Sequence, residues 1–535
     1  MSARRERRRE RRAPTFMRAG DRTDGGPAGS AVLVGAGFGM QRGASLFAAS
    51  PAFFLQRSAL RGGCELWQSA PMSPSSSRTA DRFPPQVKYI LGNEACERFS
   101  LYGMRAILVT YMTGVLHLSD SEAEWVHHLF VASVYFMPLV GGWLADRYFG
   151  RYAVILWMSL GYVAGHACIA FFEGEAGLYA GLALIAMGSG AIKPNVSTFV
   201  GDQFGPGRES LMEKAYFAFY WAINIGSING QFFIPKIRTW YGWQIAFAVP
   251  GVAMALSLVI FLVGKRHYIR PPPSGPQPES FGKVFFHGLA RVGARRPGKG
   301  LLDGARDKFS PPAIAAAEAV LGIIAVFFPC IAFWMCFDQY SSSWVLQAQK
   351  MDLDLFGVPI EAEQFGTLDA LLILVMVPAA AAAFGALEKR GRGISRLARM
   401  TGGMFITVLS FASAALVQHA LDAGVHVNIV WQSWQYFFLA AGETLVSVTA
   451  LEFAYSQAPK SMKSTIMSVW FLTFSIGNLF TGLIAKANPF QGAAFFWFFS
   501  GITLVAAVLF AMIAKRYRSP IHAEGELPPN AAPAA

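Results

Sequence analysis

The sequence predicts an all-α membrane protein: twelve transmembrane helices in two six-helix bundles around a central cavity, with both termini cytoplasmic. Three observations carry this reading. Only 15% of the 535 residues are charged while 53% are hydrophobic, against about a quarter charged in soluble globular chains. Apolar runs of roughly 20 residues, the length that crosses a bilayer core, recur along the chain. A stretch rich in Pro, Gly and Lys/Arg divides these runs six and six, the layout of membrane proteins built from repeated bundles.

Taken in order, the first six runs lie near 88–113, 124–145, 152–172, 177–199, 213–235 and 242–264. Each is bounded by polar or basic turns, and together they define an N-terminal bundle over 85–266. Residues 267–312 follow as a cytoplasmic linker, because its one apolar stretch, "FGKVFFHGLA", is too short to span and fits an interfacial helix. The second bundle, 313–516, holds runs near 313–346, 364–386, 397–421, 429–452, 463–485 and 491–514. Its first run is long enough to tilt or project beyond the bilayer. Orientation follows from the Lys/Arg bias of the loops. Ten basic residues fall in 265–312 alone, which puts that segment inside. An even number of spans then returns both termini to the cytoplasm.

The formal charge of +13 is a poor guide to partners. Residues 1–88 hold 15 Lys and Arg against 6 Asp and Glu, and most other basic residues cap spans, so nucleic-acid binding has little support. Residues 1–84 read as a disordered or spurious basic extension and 517–535 as a disordered tail. The first 71 residues have the composition of a transit peptide, yet Met72 makes a natural start just before the first span. Cys64, Cys96, Cys168, Cys330 and Cys336 lie apart, with no metal-ligand spacing and no disulfide framework. No metal site is expected.

The most informative stretch is "GNEACERFSLYGMR", 92–105, which puts four charges into a spanning run. At 100° per residue Glu94, Arg98, Tyr102 and Arg105 fall at about 0°, 40°, 80° and 20°, with Glu97 at about −60°. They share one stripe, so they face something wet or ionic inside the protein. A self-neutralised cluster is the alternative, but Arg105 has no partner on this helix. Intramembrane ionisable groups are costly and mark ion or substrate pathways. His128, Lys193, Asp338 and Glu443 repeat the anomaly in the second, fourth, seventh and tenth spans. The cations and histidine lie in the first half and the two acids in the second, so they can attract across a cavity.

"ExxERFSxYGMRA", "GAIKPNVSTFVGDQF" and "FYWAINIGSI" resemble signatures of the proton-coupled oligopeptide transporters, within the major facilitator superfamily. "GGWLADRYFGR", 141–151, is similar to that superfamily's loop motif, and "LEFAYSQAPKSMKS" to the animal-type and related bacterial branch. The resemblance implies a symporter that imports di- and tripeptides with protons by alternating access, needing no cofactor and no ATP. Its partners would be those peptides, protons and the lipid bilayer, with no obligate protein partner, in a multi-pass protein of the cell membrane.

The resemblance also implies roles. Glu94, Glu97 and Arg98 occupy the proton-coupling motif. Burial disfavours the charged form of a carboxyl while a nearby guanidinium favours it, so movement of Lys193 or Arg98 would switch Glu97. Arg105 and Lys193 match positions that attract a peptide carboxylate; Glu443 and Asn224 match those that meet its ammonium. Tyr102, Tyr135 and Tyr220 match backbone-contacting tyrosines, and Trp334 and Trp470 match residues bordering side-chain pockets. Ser447 shares the face of Glu443. His128 and Asp338 would form an outer gate, with a Lys193–Glu443 pair coupling the halves deeper in. Two departures stand out: Leu101 where tyrosine is common, and Asp369 where the family commonly has Asn, an extra acid that would either favour basic substrates or itself be kept protonated.

Other classes fit less well. The sequence has no GxSxG element, no HExxH pair and no Walker-type loop, and its charges are spread over five spans, so an enzyme is not expected. A channel needs no acids and bases divided between halves. A carrier of nitrate or another small solute, or a non-transporting peptide sensor, stays open as an alternative.

Overall fold

The computed structural model describes residues 82–296, 300–457 and 462–517. The expectations for 1–81 and 518–535, including Met72 as a start and Cys64, lie outside them. The described chain is almost entirely helical. The first half holds α1 (Val87–Gly114), α2 (Asp120–Leu144), α3 (Arg151–Phe171), α4 (Glu175–Asp202), α5 (Glu209–Tyr241) and α6 (Trp243–Val263). A short α7 (Phe281–Ala290) occupies the linker at the apolar stretch read from sequence. The second half holds α8 (Pro311–Phe327), α9 (Cys330–Phe337), α10 (Ser343–Ala348), α11 (Thr367–Lys389), α12 (Arg396–Asp422), α13 (Ser433–Gln457), α14 (Lys463–Ala487) and α15 (Ala493–Arg516). A two-residue hairpin, β1 (Asp354–Leu355) with β2 (Val358–Pro359), lies between α10 and α11.

Among the described residues, nine helices are long and apolar enough to cross a membrane, or ten with one bent pair. Two further long helices, α1 and α5, have 28 and 33 residues and carry much of the polar site described below. Local sequence explains several boundaries. Ser119 and Glu122 close a capping box at the start of α2, satisfying backbone donors that have no partner within the helix. Ser310 caps α8, with prolines in its first turn, where a missing N–H costs nothing.

The seventh span corrects the sequence expectation. A single run over 313–346 is instead two helices bent by 50° between Phe327 and Cys330. Pro329 supplies the physical reason, since it cannot donate to the helical ladder. After α9 the backbone tightens into a 3-10 turn over Asp338–Ser341 before α10 begins. This presents Asp338 and the serines after it to the first half. The fifth span also extends past its expected 213–235 limits at both ends.

Packing is segregated. In the first half α1 packs on α5 and α6, α3 on α4 and α6, and α2 on α4. In the second, α12 packs on α13 and α15, α11 on α13, and α9 on α14. The halves meet mainly where α2 runs along α14 and where α5 meets α11. Between α1 and α5 the backbones nearly touch. A Cβ on Gly230 would lie 2.9 Å from the Gly103 nitrogen, and one on Gly103 3.3 Å from the Gly230 oxygen. That approach presses α1 against its neighbours, and Leu101, Ile107 and Leu108 are buried along with its charged stripe.

Candidate functional site

A cavity of about 330 Å³ lies between the halves. The first half contributes Arg98, Tyr102, Arg105, Tyr135, Lys193, Tyr220 and Asn224 to its wall. The second contributes Trp334, Asp369, Glu443, Ser447 and Trp470. All the residues expected to meet substrate therefore line one space. Its charges are divided by half: Arg98, Arg105 and Lys193 on one side, Asp369 and Glu443 on the other. Several polar atoms here are buried without a hydrogen-bond partner: the Tyr220 hydroxyl, Trp334 Nε1, Asp369 Oδ1, Thr444 Oγ1 and Ser447 Oγ. Buried polar groups are almost always paired, so five such atoms around one cavity mark a surface shaped for a polar guest.

The charged stripe of α1 divides in two. Arg98 reaches the cavity, whereas Glu94 and Glu97 stand one layer behind it, each 1% exposed. Arg98 Nε donates to Glu94 Oε1 at 2.7 Å and lies 3.2 Å from Glu97 Oε2. Ser189 of α4 donates to Glu97 Oε1 at 2.9 Å. One guanidinium thus holds two carboxylates and faces the cavity at the same time. Lys193 stands over the Tyr135 ring, 4.6 Å from its centroid.

Arg105 finds its partner in the other half. It donates to Asp338 and, at 2.7 and 3.0 Å, to the Ser341 hydroxyl. Asn478 of α14 donates to the second Asp338 oxygen at 2.7 Å. Its amide oxygen then faces His128 Nδ1 at 2.9 Å, while Ser342 Oγ lies 2.9 Å from Nε2. With the amide turned this way, Nδ1–H donates and the Nε2 of a neutral ring accepts from Ser342. His128 and Asp338 do share one cluster, but Asn478 bridges them and the direct ion pair belongs to Arg105. The expected Lys193–Glu443 pair is likewise not formed: both line the cavity, yet no ion pair joins them among the described residues.

Other ion pairs do join the halves. Arg238 of α5 pairs with Glu361 at 2.8 Å and Glu363 at 2.7 Å, and Lys236 with Glu361 at 3.4 Å. Lys350 lies 3.7 Å from Asp120. Arg105–Asp338 likewise joins 85–266 to 313–516. The Arg238, Lys236 and Lys350 pairs lie at the end that carries the α1–α2 and α5–α6 turns, and Arg105–Asp338 lies deeper, at the central cavity. At the opposite end Arg151 pairs with Asp146 and Asp202, and Arg396 and Arg399 with Glu452, each within its own half. Ion pairs thus latch the halves together at the first of these ends.

The profile of the POT family matches residues 152–302 and 305–491, more than half of the chain. The chain belongs to the POT family. The crystal structure of the POT family transporter PepTSo is 36% identical with a TM-score of 0.77, covering 82% of this chain and 99% of that one. Solute carrier family 15 member 2 of Rattus norvegicus is 34% identical over 390 residues, 68% of this chain and 53% of that protein. Peptide transporter 3 of Caenorhabditis elegans is 36% identical over 360 residues, 63% of this chain and 51% of that protein. The chain spans about half the length of these curated relatives. They, like the family, are transporters and not enzymes.

Sequence reasoning missed several groups in this POT family chain. Ser341, Ser342 and Asn478 complete the Arg105–Asp338–His128 cluster, and His127 Nε2 lies 3.3 Å from Ser341 Oγ. Three consecutive serines beside an intramembrane Asp were the available signal. Arg238, Glu361 and Glu363 were missed because charges at span ends ordinarily meet water. Cys96, Cys168, Cys330 and Cys336 are free thiols.

Proposed function

We propose that the chain is a proton-coupled symporter that imports di- and tripeptides by alternating access. One observation carries the reading: a single cavity has cations on the wall built by 85–266 and acids on the wall built by 313–516. A zwitterionic peptide spans about 7–10 Å at 3.3–3.6 Å per residue. Its carboxylate is then met by Arg105 and Lys193 and its ammonium by Glu443, with Asn224 beside it. Tyr102, Tyr135, Tyr220, Trp334, Trp470 and Ser447 shape the space between, and Asp369 adds an acid for basic side chains. Glu94, Glu97, Arg98, His128 and Asp338 couple the proton.

In this reading α1 to α6 are six spans, and the bent α8–α9 unit with α11 to α15 makes six more. The bundles 85–266 and 313–516 are joined by a cytoplasmic linker, 267–312, with both termini inside the cell membrane. The end held by the Arg238, Lys236 and Lys350 pairs is then the outer one. Protonation from outside weakens the outer pairs, and the halves rock about the α2–α14 and α5–α11 contacts. Reconstituted protein should accumulate di- and tripeptides, but not tetrapeptides, when an inward proton gradient is imposed. Mere equilibration would indicate a channel, and binding without flux a sensor.

A further inference from the structure

A second cavity, of about 220 Å³, lies between the halves at the latched end. Asp120 and Glu124 of α2, Ser343 and Gln347 of α10, Lys350 and Gln418 line it. Asp120 and Lys350 form its mouth, with side chains 58% and 56% exposed. Glu124 is different: it is 8% exposed, faces the cavity, and has no hydrogen-bond or ion-pair partner among the described residues.

What lies behind Glu124 gives it a use. His128 follows one turn later on α2, and residues four apart share a helix face. Ser343, in the cavity wall, adjoins Ser342, which meets His128 Nε2 at 2.9 Å. From His128 the contacts run through Asn478 to Asp338, and from Asp338 to Arg105 on the wall of the central cavity. The route therefore leads from outer water to the latch.

We propose that Glu124 is the group through which protons from the outer side reach His128 while the latch is shut, an inference that rests on the symport reading above. Glu124 takes a proton at the cavity floor and yields it toward His128 Nε2, leaving a carboxylate and an imidazolium. The new cation stands beside Arg105 in the same buried cluster. Like charges repel strongly where water is excluded, so the Arg105–Asp338 contact loosens. The charged and titratable groups around Glu124 are few. Asp120, His127 and His128 lie on α2 itself, and Lys350 is beyond α10. Asp422, at the end of α12, is engaged by Gln418 and the Ala493 N–H. Lys486 of α14 is turned onto the Trp125 ring. The part of α15 in the wall is Phe495 and Phe496.

The test uses the full chain in liposomes, comparing wild type, Glu124→Gln and Glu124→Asp for gradient-driven dipeptide uptake across outer pH. Peptide exchange without a gradient is measured alongside. The glutamine variant should lose at least about fivefold in driven uptake near neutral pH and need a more acidic exterior. Exchange should be unchanged, and the aspartate variant should recover most of the loss. A glutamine variant with wild-type driven uptake and pH profile overturns this proposal alone, and so does equal loss of exchange. Absence of gradient-driven uptake by wild type overturns the symport reading and this inference with it.

Discussion

Arg105 and Asp338, 233 residues apart in sequence, meet as a buried ion pair whose side chains are 6% and 0% exposed. Removing one member of such a pair strands the other charge, which costs about 3–5 kcal/mol. Asp338→Asn should therefore bias the protein toward opening at the latched end and lower driven uptake at least tenfold. Gln349 donates to Thr110 across that same end at 3.0 Å. Spin labels at these two positions should report a longer distance in the variant, and an unchanged distance would show that the pair does not hold the latch.

The clasp of Arg238 on Glu361 and Glu363 should matter less. Arg238 and Glu361 keep 15% and 20% of their side-chain surface in water, although Glu363 keeps only 1%, so the clasp is better solvated than Arg105–Asp338, at 6% and 0%, and more strongly screened. Arg238→Gln should change uptake by no more than about fivefold, well short of Asp338→Asn. A reversed ranking in parallel assays would move the main latch to α5.

Glu443 offers a cavity acid to a peptide ammonium, and a hydrogen bond to a charged group contributes about 1.5–3 kcal/mol. Glu443→Gln should weaken binding of a free dipeptide at least tenfold and leave its N-acetyl form nearly unchanged. Calorimetry on the detergent-solubilised protein separates the two.

Asp369 stands in the same wall with one buried oxygen unpaired. Asp369→Asn should reduce competition by lysine-containing dipeptides relative to alanine-containing ones by about tenfold. Equal competition in both proteins would remove its role in selection.

The linker makes a pH prediction of a different kind. Asp303 lies well below the ordinary carboxylate value, first through its hydrogen bond with Arg296 and also through Arg306. A depressed carboxyl stabilises the fold above its unfolded value and loses that effect only as pH falls through the lowered one. Asp303 thus stays ionised throughout roughly pH 5–8. Asp303→Asn should lower the melting temperature while the pH profile of uptake keeps its shape.

Periodicity and composition made much of this protein legible. Apolar runs predict helices because a bilayer forbids unpaired backbone groups, and a 3.6-residue period alone puts Glu94, Arg98, Tyr102 and Arg105 on one stripe of α1. Every residue expected to meet substrate lines one cavity, since polar side chains in apolar helices have nowhere cheaper to point. Which charge answers which was not legible. Arg105 takes Asp338 because α9 ends in a tight turn after Pro329, and Asn478 stands between His128 and that acid because α2 lies along α14. Lys193 and Glu443 line the same cavity without pairing, since each belongs to a different bundle and bundle docking sets their separation. One-dimensional chemistry determined where helices run and which faces are polar. Only the tertiary structure decided the partners, because an ion pair forms over a few ångströms and that separation is set by the docking of two bundles.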